Sequence, residues 1–169
     1  MTSDRDLSSY SAHGFDRGQP RWVEALWVVI QGLLFNTWLP GSGWRRVLLR
    51  GFGAKVGNGV VLKPHVRVKF PWRLTIGDHS WIGESVWIDN LDRVVIGSSV
   101  CVSQGVYICT GNHNAHSVEF ELITKPVVIR DSSWIGAQCV LLPGATVLDG
   151  AFVKVGSIFR GEAPLSPDE

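Results

Sequence analysis

The stretch CTGNHNAHS, Cys109 to Ser117, sets two histidines three positions apart in a polar segment without apolar periodicity. An imidazole, with a reference pKa of about 6.5, takes a proton from a hydroxyl near neutral pH and returns it within one turnover. His113 and His116 are both candidates for that work, and an exposed loop histidine is equally at home as a solvated side chain. Asn112 and Asn114 are either partners for an imidazole or a bound hydroxyl, or formers of a turn. Cys101, Cys109 and Cys139 are odd in number and share no metal-ligand spacing, so reduced thiols in a cytoplasmic protein are expected. The N-terminal MTSDRDLSSY has no signal-peptide layout.

The element that must position this segment is a repeat. Aliphatic residues stand at Val56, Leu62 and Val68, at Ile76, Ile82 and Ile88, at Ile96, Val102 and Ile108, and at Ile129, Ile135, Leu141, Val147 and Val153. The steps are 6, 6, 8, 6, 6, 8, 6, 6, 21, 6, 6, 6 and 6. Small or aliphatic residues recur four places on, among them Val60, Ser80, Val100, Cys139 and Ala151. A hexapeptide is one short strand and a turn and cannot bury its aliphatic alone. Stacked coils place like residues over like, which builds a continuous core. If three hexapeptides make one coil, each insertion falls after the third, so all leave one corner of a triangular prism. The step of 21 is then an excursion from that corner, over residues 109–126.

Ahead of the repeat, residues 1–20 read as a flexible polar arm. The stretch RWVEALWVVIQGLLFNTWLP predicts a helix of about four turns ended by Pro40 and Gly41, too short and too interrupted to span a membrane. Its tryptophans, followed by the basic WRRVLLRGFGAK, fit a helix lying in a membrane surface, a cap on the prism, or both at once, over residues 21–55. No acid lies between Glu24 and Asp78, whereas Arg45, Arg46, Arg50, Lys55, Lys63, Arg67, Lys69 and Arg73 do. Such a block suggests phosphates or an anionic surface, or else a solvated face balanced elsewhere in the fold. The net charge of +1 gives no case for nucleic acid.

The stretches LLRGFGAKVG, FPWRLTIGDHSWIGE, WIDNLDRVVIGSSVCVSQGVYICTGNHN and ITKPVVIRDSSWIGAQCVLLPGATV carry a resemblance. The chain resembles the hexapeptide-repeat acyltransferases, and among them the exopolysaccharide O-acetyltransferases of the colanic acid biosynthesis type, over residues 21–157. The resemblance implies a mainly β fold, a left-handed parallel β-helix over residues 56–159 with an N-terminal helical segment and a protruding loop. It also implies a homotrimer with active sites between neighbouring prisms, acetyl-CoA as donor, a saccharide acceptor, lipid-linked or free, and no metal.

The same resemblance implies roles for individual residues. His113 matches the catalytic base, ahead of His116. Ala137, in SSWIGAQ, matches the backbone amide that holds the oxyanion, with Gly136 permitting close approach. Trp134 lines the pantetheine channel or covers a corner. Val155, Gly156 and Ser157 match the cofactor groove, and Arg160 is a candidate for its phosphates. Asp89 and Asn90, with Asn112, are candidates for acceptor hydroxyls, or turn the chain. The tail at 160–169, FRGEAPLSPDE from Phe159 on, departs from the family pattern. A non-catalytic scaffold with a degenerate donor site is therefore one alternative. The other is a zinc enzyme of the gamma carbonic anhydrase kind, using His79, His113 and His116, whose surrounding motifs match poorly.

Overall fold

The computed structural model describes residues 14–161, residue 118 apart. Residues 1–13 of the expected arm and 162–169 of the expected tail lie outside the described residues. The repeat folds into a parallel β-solenoid of five coils with three faces. Face A stacks β1 (Lys55–Val56), β4 (Leu74–Ile76), β7 (Val94–Ile96), β12 (Val127–Ile129) and β15 (Thr146–Val147). Face B stacks β2 (Val61–Leu62), β5 (Trp81–Ile82), β8 (Cys101–Val102), β13 (Trp134–Ile135) and β16 (Phe152–Val153). Face C stacks β3 (Arg67–Val68), β6 (Trp87–Asp89), β9 (Tyr107–Cys109), β14 (Val140–Leu141) and β17 (Ile158–Phe159).

Every aliphatic of the six-residue series is buried, and register pairs it with its counterpart one coil on, as in Val68 with Ile88 and Ile88 with Ile108. Each such side chain contributes roughly 1.5–3 kcal/mol of burial. The tight turns need a left-handed residue. Glycine serves at Gly59, Gly105, Gly150 and Gly156, while His65, His79, Ser85, Ser99, Ser132 and Gln138 adopt φ of 56–60°. His79 is thus a turn residue, at a different corner from His113. Along the A-to-B corner a side-chain ladder ties the coils: Asp78 Oδ1 accepts from Asn58 N at 2.6 Å, Ser98 Oγ from Asp78 N at 3.2 Å, and Asp131 Oδ1 from Ser98 N at 2.7 Å. A Cβ at Gly97 would stand 2.2 Å from that Asp131 oxygen, so the close stacking needs glycine there.

The helical segment caps the first coil. Helix α1 (Arg21–Ile30) continues through one wider turn, Gln31–Phe35, and α2 is Gly43–Gly51. Trp27, Phe35 and Leu49 are fully buried and stopper the open end of the core. The Trp27 indole donates to Val68 O at 2.7 Å, and Gln31 Oε1 accepts from Val68 N at 2.6 Å. The first helix ends at Phe35, five residues before the expected Pro40, because Arg45 draws the following carbonyls together. Its buried guanidinium donates to Phe35 O, Gly41 O and Thr37 O at 3.3, 2.8 and 2.7 Å, and burial lowers its pKa. Arg46 donates to Val60 O and Arg50 to Val56 O and Gly57 O. The basic block is therefore in part the capping of a solenoid end.

All three insertions leave the C-to-A corner, as the spacing required. Residues 14–20 are laid against that corner rather than free. Phe15 stacks on Phe70 with centroids 6.4 Å apart, the Trp72 indole donates to Arg17 O at 2.7 Å, and Arg17 pairs with Glu24 at 2.7 Å.

Candidate active site

The long insertion is a β-hairpin, not an irregular loop. β10 (Gly111–His113) pairs antiparallel with β11 (Leu122–Thr124), setting His113 opposite Leu122 and Asn112 opposite Ile123. Thr110, fully buried, fastens its base: its N–H and hydroxyl both donate to Asp89 O, and its oxygen accepts from Asp92 N at 2.9 Å. Asn114 Oδ1 accepts from His116 N at 3.1 Å, the turn-forming role open to it from sequence.

His113 is half-buried and His116 exposed. The His113 ring lies flat on Phe120, centroids 4.3 Å apart and planes at 3°, and its Nδ1 is 2.7 Å from Phe120 O. A carbonyl only accepts, so Nδ1 carries the proton and Nε2 is the basic nitrogen. The two histidines thus differ in setting: the His113 ring is held against Phe120, whereas His116 is exposed.

Asn112 and His113 are neighbours on a strand and point to opposite sides of the ribbon. Asn112 faces a groove of about 400 Å³ with Ile123, Lys125, Pro143, Gly144, Arg160 and Gly161. Asn112, a candidate for acceptor hydroxyls, thus faces away from the His113 ring; its Oδ1 accepts from His113 N at 2.8 Å. For Asn90 the structure shows the structural alternative. It is fully buried, with Nδ2 donating to Phe70 O at 2.7 Å and Oδ1 accepting from Phe70 N at 2.9 Å, so its amide is spent on holding the neighbouring insertion.

Asp89 keeps its candidacy. It sits 3.1 Å from Lys69 Nζ and accepts the Tyr107 hydroxyl at 3.1 Å, while its buried Oδ1 receives no well-formed hydrogen bond. The Tyr107 pKa is raised far above the ordinary range, first by burial and then by its hydrogen bond to Cys109 and the charge of Asp89, so Tyr107 is a fixed donor and not a base. Burial also raises the Cys139 thiol, which donates to Lys154 O. The buried Cys139 thiol is thus no nucleophile.

The remaining candidates gather elsewhere. Trp134 projects from face B, about half exposed, its indole donating to Ser103 Oγ at 2.9 Å. Gly136 and Ala137 follow in the B-to-C turn of the fourth coil, and Val155, Gly156 and Ser157 in the same turn of the fifth. Gly156 N donates to Ala137 O at 2.9 Å, binding the two turns into one strip. A Cβ at Gly136 would lie 2.7 Å from Val155 N, so coil stacking alone demands that glycine. The Ala137 N–H has no acceptor among the described residues. Arg160 is not on this strip; β17 carries the chain across face C, and Arg160 joins Lys125 at the other corner. Two cations that the sequence reading did not single out stand near these clusters: Lys125, between β11 and β12, and Lys154, just before the last turn.

Two clusters therefore flank face C in one chain. His113, Asp89, Lys125 and Arg160 lie on the C-to-A side, and Trp134, Ala137 and Val155–Ser157 on the B-to-C side. A five-coil hexapeptide solenoid carrying a histidine hairpin and a strip with an outward turn amide has the layout of a hexapeptide-repeat acyltransferase.

The comparisons narrow that class. The Escherichia coli protein described as the colanic acid biosynthesis acetyltransferase WcaF is 38% identical over 160 residues, 92% of this chain and 87% of its own. The chain belongs to this colanic acid biosynthesis type of hexapeptide-repeat acetyltransferases. Its fold is similar to that of the Vibrio cholerae hexapeptide-repeat acetyltransferase VCA0836 solved with acetyl coenzyme A, with a TM-score of 0.78 at 22% identity over 93% of this chain and 87% of that one. It is likewise similar to a galactoside acetyltransferase solved with coenzyme A, with a TM-score of 0.74 at 24% identity over 85% and 74% of the two chains. The chain matches no family model.

Proposed function

We propose that the protein transfers an acetyl group from acetyl-CoA to a hydroxyl of a saccharide used in surface-polysaccharide synthesis, in the cytoplasm, with His113 as general base. The observation that carries the reading is the Phe120 carbonyl at 2.7 Å from His113 Nδ1, which accepts the Nδ1 proton and so makes Nε2 the ring's basic nitrogen. The acceptor oxygen attacks the thioester carbonyl as Nε2 takes its proton. The Ala137 amide donates to the oxyanion of the tetrahedral intermediate. Collapse expels the CoA thiolate, which recovers the proton from the imidazolium. The thioester is already activated, so no acyl-enzyme is needed.

The separation of the two clusters on either side of face C supports a site completed by a second copy, whose B-to-C strip meets this chain's hairpin in a trimer. On that strip Trp134 flanks the pantetheine, while Gly136 and Val155–Ser157 let the donor approach the backbone. Lys154 adds positive charge beside them. Asp89 orients the acceptor from the hairpin side. Arg160 and Lys125 supply cations for donor phosphates reaching across face C.

The test is release of CoA thiol from acetyl-CoA with a panel of sugars and nucleotide sugars. Acceptor-dependent release that collapses in His113→Gln and persists in His116→Gln supports the reading. Equal loss in both variants refutes the assignment of the base, and no CoA binding by calorimetry overturns the reaction class.

A further inference from the structure

The cap has a second face. Trp27, Gln31 and Phe35 recur every four residues and turn toward the first coil. The opposite side of the same helix, and the chain just beyond it, are apolar and open: Trp22 is 69% exposed, Leu33 72% and Trp38 74%, with Leu26 and Val29 on the helix and Leu39 after Trp38. Nothing in the solenoid needs this side. Exposed apolar areas of this size on a folded domain mark an interaction surface.

The surroundings specify the occupant. The first coil, directly above the cap, presents exposed Lys55 on face A, Lys63 beyond face B and Arg67 on face C. Cations thus stand around the prism at a single height. Arg46 and Arg50 spend their donors on carbonyls but keep their charge, adding to the same end. No acid lies between Glu24 and Asp78, and Glu24 is itself paired with Arg17. No helix among the described residues is long and apolar enough to cross a membrane.

We infer that the exposed side of α1 and the chain up to Leu39 lies in the interface of an anionic phospholipid bilayer, with the cations of the first coil against the headgroups. Tryptophans near both ends of the apolar side suit that depth, where an indole meets lipid and water together. The prism then stands on the membrane with its capped end down. The inference stands apart from the acetyl-transfer reading, because docking needs neither His113 nor a donor.

The experiment is flotation of the full chain with vesicles of phosphatidylcholine alone and of phosphatidylcholine mixed with phosphatidylglycerol, across a salt series. The wild type is expected to float with the mixed vesicles at low salt and to be released as salt rises. Trp22→Ser/Leu33→Ser/Trp38→Ser should lose binding to mixed vesicles by tenfold or more. Lys55→Gln/Lys63→Gln/Arg67→Gln should lose roughly a hundredfold on mixed vesicles, from three surface cations. Thermal melts check that both variants fold, and turnover with a soluble acceptor, if the reading above holds, should survive in both. Wild type that stays unbound at low salt overturns the inference. So does an apolar variant that floats as wild type does, or one that changes only the size of the assembly in light scattering, which would assign the surface to contacts between copies.

Discussion

If His113 is the base proposed above, the Phe120 carbonyl beside its Nδ1 orients it for that work. His113→Gln, which keeps a similar polar volume, should cut kcat/KM by about a hundred- to ten-thousand-fold with an unchanged melting temperature, since the hairpin is outside the core. Phe120→Ala removes the stack that holds the ring flat, and should lower kcat about tenfold while leaving the KM for acetyl-CoA in place. Tyr107 supports a test by pH. Its folded-state pKa is raised, so below the ordinary tyrosine value of about 10 both states keep the proton and stability is complete. Above it the unfolded chain ionises first and stability falls. Thermal melts from neutral pH upward should show that alkaline decline in the wild type and a weaker one in Tyr107→Phe.

At the scale of elements, the cap is the part on which the solenoid's open end depends. Arg45→Met keeps length and apolar contact but strands three carbonyls, and should cost about 3 kcal/mol or more in denaturant unfolding. Within the stack, Ile108→Ala should cost roughly 2–5 kcal/mol, because a fully buried side chain between two like ones leaves a cavity that cannot collapse. The stack was legible because its period is written in residues that have one thing to do: Val56 through Val153 are all aliphatic, and all are inside. The common corner of the insertions followed from the same arithmetic. Arg45, by contrast, read as surface charge. Nothing in its neighbours announces that a guanidinium will serve as a helix terminator, since the carbonyls it gathers come from Phe35, Thr37 and Gly41 and are invisible in side-chain types. Asn90 left two roles open for a related reason, being an amide that serves the backbone of Phe70 from twenty residues away. The hairpin was read only as an excursion, for GNH and LIT are too short to show a period of two. Its pairing then decided which way Asn112 and His113 face.

At the scale of the molecule, the two clusters on either side of face C have a bearing on activity. If the site closes between copies, His113→Gln and an Ala137→Pro variant lacking the amide should complement each other when mixed and reassembled. Mixed trimers then contain some sites with both functional halves, and activity above that of either parent is the expected readout. The capped end carries the other consequence. Coils repeat at about 4.8 Å, and the hairpin departs after the third, two spacings above the first. With a helix about 10 Å thick beneath, the hairpin stands roughly 20 Å from whatever the cap rests on. If the cap rests on lipid and His113 is the base, the prism is a ruler: the number of coils between cap and hairpin sets how far above the lipid a hydroxyl must be held to be acetylated. One coil more or fewer moves that mark by a strand spacing without touching the chemistry.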